Sequence, residues 1–126
     1  MTIRALVAVC DGLVMGDGIG LAPGCISEDH ALPIPVVLDF DSRRVVGRAA
    51  LELEGHNVFA RLELLDTTPI VGRWPALGLQ MLAAVSGRGL PGAIYTRVAV
   101  LAISLGKNRN ADPRVPPLDL GGPIVV

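Results

Sequence analysis

The sequence is poor in aromatic residues and in lysine. Aromatic residues make up 3% of the 126 residues, Lys107 is the only lysine, and the formal net charge is -1 at pH 7. Proteins that bind nucleic acid neutralise phosphates with a basic surface, and those that bind single strands add aromatic side chains that stack on bases. The composition therefore excludes nucleic acid as an expected partner.

Long apolar runs are missing as well. The longest, such as Val98 to Ile103, are far shorter than the roughly 20 residues that a membrane-spanning helix needs. We therefore predict no transmembrane helix and no membrane partner.

Cysteine and histidine are scarce, with two residues of each. Cys10 and Cys25 could form a disulfide, but two cysteines in a chain of cytosolic type are more often free thiols. His56 lies in a predicted turn and His30 lies in a predicted loop. Neither has around it the separated, converging ligands that a metal site requires. We predict no metal and no cofactor.

Glycine and proline, by contrast, are abundant. The chain has 15 glycines and 10 prolines spread along its length, and 51% of its residues are hydrophobic. Its length fits one domain with a modest core. Frequent glycine and proline favour short strands and turns over long helices. We expect a mainly β fold with at most one or two short helices.

An antiparallel hairpin is the clearest element of the pattern. Arginine and glutamate alternate with apolar residues over 48–54 and 57–64, on both sides of Gly55 and His56. This alternation is typical of a hairpin with one solvated face. Further strands are expected over 3–10 and 35–40, separated by a glycine-rich loop from Asp11 to Ile34.

The second half of the chain predicts a central strand and leaves one segment open. Residues 93–105 are β-branched and nearly uncharged, as in a strand buried on both faces at the centre of a sheet. Residues 75–86 fit either a short helix or a strand with a kink at Gly78. The proline-rich end predicts an extended arm, lying over the domain or onto a partner, so we divide the chain into a β domain (1–106) and a C-terminal arm (107–126).

Few residues carry a recognisable chemistry. The serines at positions 27, 42, 86 and 104 lie in no nucleophile-elbow motif and beside no base in sequence. The glycines between Asp11 and Gly20 lack the spacing and the lysine of a phosphate-binding loop. Arginine pairs bidentately with carboxylates, so the arginines of a predicted turn and of the arm are candidate contacts to a partner chain: Arg43, Arg44, Arg109 and Arg114.

Several short segments, read in order, resemble the head maturation proteases of tailed bacteriophages, whose β-barrel fold is shared with herpesvirus assemblin. The resemblance covers most of residues 3–115 and implies a small antiparallel β-barrel. The segments are Asp17-Gly18-Ile19 with Pro23-Gly24-Cys25, residues 35–41 with Val46-Gly47-Arg48, the hairpin 51–64, residues 76–79, residues 100–105, and Asn110-Ala111-Asp112-Pro113.

The departures from that family bear on activity. Phe40 stands at the family's histidine position, Gly78 at its serine nucleophile, and Ala102 at the acidic residue of its late strand. A phenyl ring cannot accept a proton and glycine carries no nucleophile, so these positions cannot perform acyl transfer. The resemblance therefore implies the fold without the protease, and we predict that the chain is not an enzyme.

A phage protein with a protease-like barrel and no catalytic residues is expected to be a structural protein of the virion. The expected role is a capsid decoration or minor capsid protein, made in the host cytoplasm, that lies on the capsid surface and stabilises the shell of the major capsid protein. A homo-oligomer, with a trimer as the specific expectation, would suit the shell's symmetry axes.

Three alternatives stay open. An active maturation protease would require His30 or His56 to converge with Ser86 or Ser104. A tail-associated or other virion assembly protein would use the same fold on another surface of the particle. A small-molecule-binding barrel would need convergent polar groups in a pocket.

Overall fold

The computed structural model describes residues 2–26, 33–65, 70, 72–86 and 92–118. These residues form seven strands and no helix, which confirms the mainly β prediction. The strands are β1 (Thr2–Val9), β2 (Ile19–Leu21), β3 (Ile34–Leu38), β4 (Asp41–Glu54), β5 (Asn57–Leu64), β6 (Trp74–Ser86) and β7 (Ala93–Gly106). The segment from Pro75, which the sequence left open between helix and strand, is a strand.

The strands form one curled, mixed sheet. Its order is β1-β5-β4-β3-β7, with β2 beside the first part of β7 and β6 along the opposite edge of β7. Because β2 and β3 both run parallel to β7, the expectation of a wholly antiparallel sheet is wrong. The sheet curls into a half-barrel in which β1 approaches β6, and no hydrogen-bonded ladder joins these two strands among the described residues.

The β4–β5 hairpin follows the predicted pattern. Gly55 begins the two-residue turn with a φ of 59°, a left-handed conformation that glycine adopts without strain. Along β5, Val58, Ala60, Leu62 and Leu64 are buried and alternate with residues on the outer face. On that face Arg48 pairs with Glu63 at 2.7 Å and Arg61 with Glu52 at 3.1 Å, while Arg4 of β1 reaches Glu54 at 2.8 Å.

The core lies inside the curl of the sheet. Its residues come from strands on all sides, because alternate positions of each strand point inward. The most deeply buried apolar side chains include Val7 on β1, Val36 on β3, Val58 and Leu62 on β5, Ile70, and Ile103 and Leu105 on β7.

Strand β7 is central, as predicted, but it is not buried on both faces throughout. It pairs with β6 along its length and with β2 and β3 on its other edge. Consecutive residues are buried only over Ile103–Leu105, whereas Thr96, Arg97 and Leu101 are exposed. Thr96 and Arg97 lie along the stretch of β7 that pairs with the exposed residues 80–85 of β6, although β2 and Ile26 still pair with the other edge of β7 nearby.

The expected glycine-rich loop contains structure that the sequence did not predict. Asp11 and Asp17 each accept a backbone N–H two residues ahead, which folds the segment back on itself through the Val14–Gly20 bridge. β2 then adds a short strand to β7, and Ile26 forms a parallel bridge with Val98. Of this expected loop, the serine at position 27 and the histidine at position 30 lie outside the described residues.

Residues 107–118, the described part of the expected arm, pack on the domain. Val115 and Leu118 are buried. The Leu118 N–H donates to the Arg73 carbonyl at 2.7 Å, and the Gly72 N–H donates to the Leu118 carbonyl at 3.2 Å. These bonds hold the segment beside the start of β6.

Candidate functional site

The most unusual surface of the molecule is the outer part of the β6–β7 ribbon. On β6 every residue from Gln80 to Val85 is exposed, so this stretch is open on both faces of the strand. The large apolar side chains in the ribbon are about half exposed: Met81 50%, Leu82 46% and Val85 53% on β6, with Leu101 56% on β7. We use the name apolar ribbon for residues 80–85 and Leu101.

The β6 part of the apolar ribbon also lies at a sheet edge. Among the described residues β6 pairs only with β7, so its other edge presents backbone N–H and C=O groups without a strand partner. Soluble proteins usually protect such edges with charged residues, prolines or covering loops, because an open apolar edge pairs with other chains. β6 contains no charged residue, and its one proline, Pro75, lies at the opposite end of the strand.

The three positions that the resemblance pairs with catalytic residues, Phe40, Gly78 and Ala102, lie on or beside β7. Gly78 of β6 is directly paired with Ala102 of β7. The Phe40 N–H donates to the Ser104 hydroxyl at 2.8 Å, so Phe40 lies near the same part of β7. The structure thus brings the backbones of these positions to neighbouring strands, and none of the three side chains can transfer a proton or attack a carbonyl.

The turn that carries Phe40 is strained and well anchored. Asp39 and Phe40 have φ values of 51° and 56°, in the left-handed region that bulky residues rarely adopt. This two-residue turn joins β3 to β4, so the expected strand over 35–40 ends at Leu38. The Asp39 N–H donates to the Leu105 carbonyl at 3.1 Å, and the buried Arg73 donates to the same carbonyl at 3.0 Å and to the Asp39 carboxylate at 3.3 Å. The Phe40 ring itself is largely exposed.

The other candidate acid–base and nucleophilic groups are not assembled into a catalytic site. His56 is exposed in the β4–β5 turn and Ser42 is exposed on β4, whereas Ser104 is buried and accepts the Phe40 N–H. Ser86 ends β6. No side-chain hydrogen bond among the described residues joins His56 to a serine. Within the same residues no group of three or more His, Cys, Asp and Glu side chains could hold a metal ion.

The candidate contact arginines are in different situations. Arg43 and Arg44 lie on β4, so the expectation of a turn at these residues is wrong. Arg43 pairs with Asp41 at 3.1 Å and Arg44 with Asp39 at 3.5 Å, both on the surface. Arg109 is exposed and forms no ion pair within the described part of the chain. A role of these arginines in contacting a partner remains a prediction.

Arg114 is engaged inside its own chain. It donates to Asp112 at 2.8 Å and also pairs with Asp11, which ties the C-terminal segment to the end of β1. The hydrogen bond from Arg114 lowers the pKa of Asp11. Burial opposes ionisation of Asp112, but the hydrogen bonds and charge of Arg114 outweigh it and lower its pKa as well. Both carboxylates therefore stay ionised well below neutral pH.

A cleft of about 520 Å³ lies between β1 and the first half of β6. Apolar side chains line most of it, including Leu77, Trp74 and Tyr95, and the Phe40 ring lies at its border. Asp17, Arg109 and Asn110 add polar groups. Its size and mixed lining are those of a site for a small ligand or a short extended peptide.

No helix of the described residues is long and apolar enough to cross a membrane. No protein-family model, no curated protein and no solved structure matches the chain. The resemblance to the head maturation proteases therefore stays a prediction that rests on the quoted residues.

Proposed function

We propose that this chain is a non-enzymatic structural protein of a bacteriophage virion that binds the shell of the major capsid protein through its apolar ribbon. The resemblance to the head maturation proteases supports the phage context, and with it a barrel that closes where the first half of β6 faces β1 and leaves the edge of residues 80–85 of β6 free. As part of the same proposal, the chain lies on the capsid surface and forms a small homo-oligomer, a trimer.

The exposed apolar ribbon is the observation that carries this proposal. Burying Met81, Leu82 and Val85 in an interface would remove apolar surface from water, which is the main source of stability in protein association. The free edge of β6 adds backbone hydrogen bonds, since an extended segment of a partner can pair with it as a further strand. Contacts of this kind need no catalytic group.

The absence of reactive side chains at the protease-like positions supports the non-enzymatic part. Gly78 and Ala102 face each other across the β6–β7 ladder, and a side-chain carbon built on Gly78 would meet Ala102 at 3.4–3.6 Å, an ordinary contact. A Cβ atom would therefore be tolerated at this position. The glycine is not required by crowding, which agrees with a site whose nucleophile is no longer needed.

Copy number in purified virus particles tests the role. A decoration protein occurs in numbers comparable to the major capsid protein, whereas a tail or portal-associated protein occurs in a handful of copies. A maturation protease leaves the mature head. Quantitative mass spectrometry of particles should therefore give a ratio to the major capsid protein of the order of one. Absence from mature particles would overturn the proposal.

The cleft supports a second candidate function, binding of a small ligand or a short extended peptide. Trp74 is the only tryptophan and lines the cleft, so its fluorescence reports occupancy directly. A screen of peptides and small apolar acids that shifts this emission, with the shift lost in a Leu77→Glu variant, would favour ligand binding. Unchanged emission throughout the screen would remove this candidate.

A further inference from the structure

Cys10 and Cys25 meet in the core of the protein. Cys10 follows the last residue of β1, and Cys25 precedes the Ile26–Val98 bridge. The side chains are 5% and 1% exposed, and their Sγ atoms are 3.7 Å apart, within van der Waals and weak hydrogen-bond contact. A disulfide requires an S–S distance of about 2.05 Å, so the two sulfurs would have to approach each other by roughly 1.7 Å.

Each cysteine is fixed to a different part of the sheet. The Cys10 N–H donates to the His56 carbonyl at 2.7 Å, which ties it to the β4–β5 turn. The Val98 N–H donates to the Cys25 carbonyl at 3.0 Å, which ties Cys25 to the middle of β7. In the order of the sheet, β5, β4 and β3 separate β1 from β7. A bond between these two sulfurs would therefore span the inside of the curl rather than join neighbouring strands.

We propose that Cys10 and Cys25 are a dithiol–disulfide pair, a site of oxidation that fastens the end of β1 to β7. In exchange with a small disulfide such as oxidised glutathione, one protein thiolate attacks and releases a first glutathione thiolate, forming a mixed disulfide. The second protein thiolate then attacks that mixed disulfide and releases the second glutathione. The two protein thiols lose two electrons and two protons, and glutathione disulfide is reduced to two thiols.

The environment of the pair distinguishes the two sulfurs. The hydrogen bond to Cys25, followed by burial, raises the pKa of the Cys10 thiol. The contact with the Cys10 sulfur lowers the pKa of Cys25. The thiolate is the attacking species, so one of the two sulfurs forms the mixed disulfide and the other, in contact with it, resolves that mixed disulfide.

Oxidation would also act on the cleft. The chain between the two cysteines contains Leu13, Met15, Asp17, Ile19 and Leu21, all of which line the cleft. A covalent bond between residues 15 positions apart would reduce the conformational freedom of the unfolded chain. In the folded protein the same bond would hold the segment against β7. We therefore expect the oxidised form to be more stable and its cleft wall more rigid.

The experiment uses the full-length chain, first reduced and then treated with diamide, which accepts the two electrons and two protons as it becomes a hydrazine. The intact mass should fall by about 2 Da, and both thiols should resist alkylation after unfolding until a reductant is added. The melting temperature should rise by roughly 10 °C and return on reduction. Cys10→Ala and Cys25→Ala are the matched controls, and diamide should leave their melting temperatures unchanged.

Burial could prevent the oxidant from reaching the folded protein, so the second arm removes that barrier. The chain is unfolded, reduced and refolded in a mixture of reduced and oxidised glutathione. An intramolecular Cys10–Cys25 disulfide, found by peptide mass mapping, supports the proposal even if the folded protein resists diamide. Two free thiols after refolding, or only disulfides between chains, would overturn it. A rise in melting temperature of the same size in either alanine variant would overturn it as well.

Discussion

The two long antiparallel ribbons, β4–β5 and β6–β7, use similar backbone geometry for different purposes. In β4–β5 the inner face is apolar and buried, and the outer face carries charged residues in cross-strand pairs such as Arg48 with Glu63. In β6–β7 the inner half contributes Ile103 and Leu105 to the core, while the outer half leaves Leu82 and Val85 in solvent. The first ribbon pairs its charged residues and buries its apolar residues within its own chain, whereas the second leaves large apolar side chains exposed.

The largest difference in stability between the two ribbons is expected when one leucine of each is replaced by alanine. Leu62 on β5 is fully buried, whereas Leu82 on β6 is 46% exposed. Leu62→Ala should lower the free energy of unfolding by about 3 kcal/mol, because it removes packed apolar contacts and leaves a cavity. Leu82→Ala should change it by less than about 0.5 kcal/mol in the isolated chain. Urea unfolding followed by circular dichroism measures both, and equal losses would show that the ribbons do not differ in this way.

A second test addresses the close approach of β4 to β5 at Gly47. A side-chain carbon at this position would lie 2.2 Å from the Glu63 carbonyl oxygen, so the backbones must move apart to admit it. Gly47→Ala should destabilise the fold by about 2 kcal/mol. Gly16→Ala is the control, since nothing lies within 4 Å of a side-chain carbon there. Matching unfolding midpoints for the two variants would contradict the tight packing of β4 against β5.

Acid should destabilise the protein through its charged regions and not through the uncharged β6. Arg114 holds the pKa of Asp11 and Asp112 below their ordinary values. A carboxylate whose pKa is lower in the folded than in the unfolded state stabilises the fold. This stabilisation is complete above the unfolded-state pKa, near 4, and it is lost as the pH falls through the lower folded-state pKa. The free energy of unfolding should therefore fall as these two carboxylates become protonated in acid, as urea unfolding at a series of pH values would measure. In Arg114→Gln the acid dependence should flatten, and an unchanged pH profile would count against the cluster.

The smallest expected effect concerns the surface ion pairs of β4–β5. The Arg48 and Glu63 side chains are both mostly exposed, so their attraction is screened by water. Arg48→Ala should therefore lower stability by about 0.5 kcal/mol, and raising the salt concentration should shrink the difference further. A double-mutant cycle with Glu63→Ala isolates the pair. A coupling energy of several kcal/mol would mean that the outer face contributes more to stability than its exposure indicates.

What the sequence predicted follows from local patterns. The β4–β5 hairpin was predictable because its alternation of charged and apolar residues has the period of a strand and brackets a glycine-containing turn. β6 was ambiguous because a stretch without charged residues, such as Leu79–Val85, gives no contrast between faces. Its absence of charge was itself the available signal for an unprotected edge.

What the sequence missed depends on contacts between distant residues. The parallel pairing of β3 with β7 joins residues far apart in the chain, and β2 is only three residues long. The turn at Asp39 and Phe40 lacks the asparagine–glycine signature of its type, and it is held by Ser104 and Arg73, which no local pattern connects to it. The meeting of Cys10 with Cys25 likewise arises only when the sheet curls.

The most direct test of the central claim compares two valines that are equally exposed, 53% each, in the two ribbons. Val85 lies in the apolar ribbon and Val45 lies on β4. Virus particles assembled without this chain are incubated with purified Val85→Asp, Val45→Asp or unmodified protein, and the bound amount is measured after sedimentation. We expect Val85→Asp to reduce binding at least about tenfold and Val45→Asp to bind like the unmodified chain. Equal binding of both variants, or loss of binding only in Val45→Asp, would contradict it.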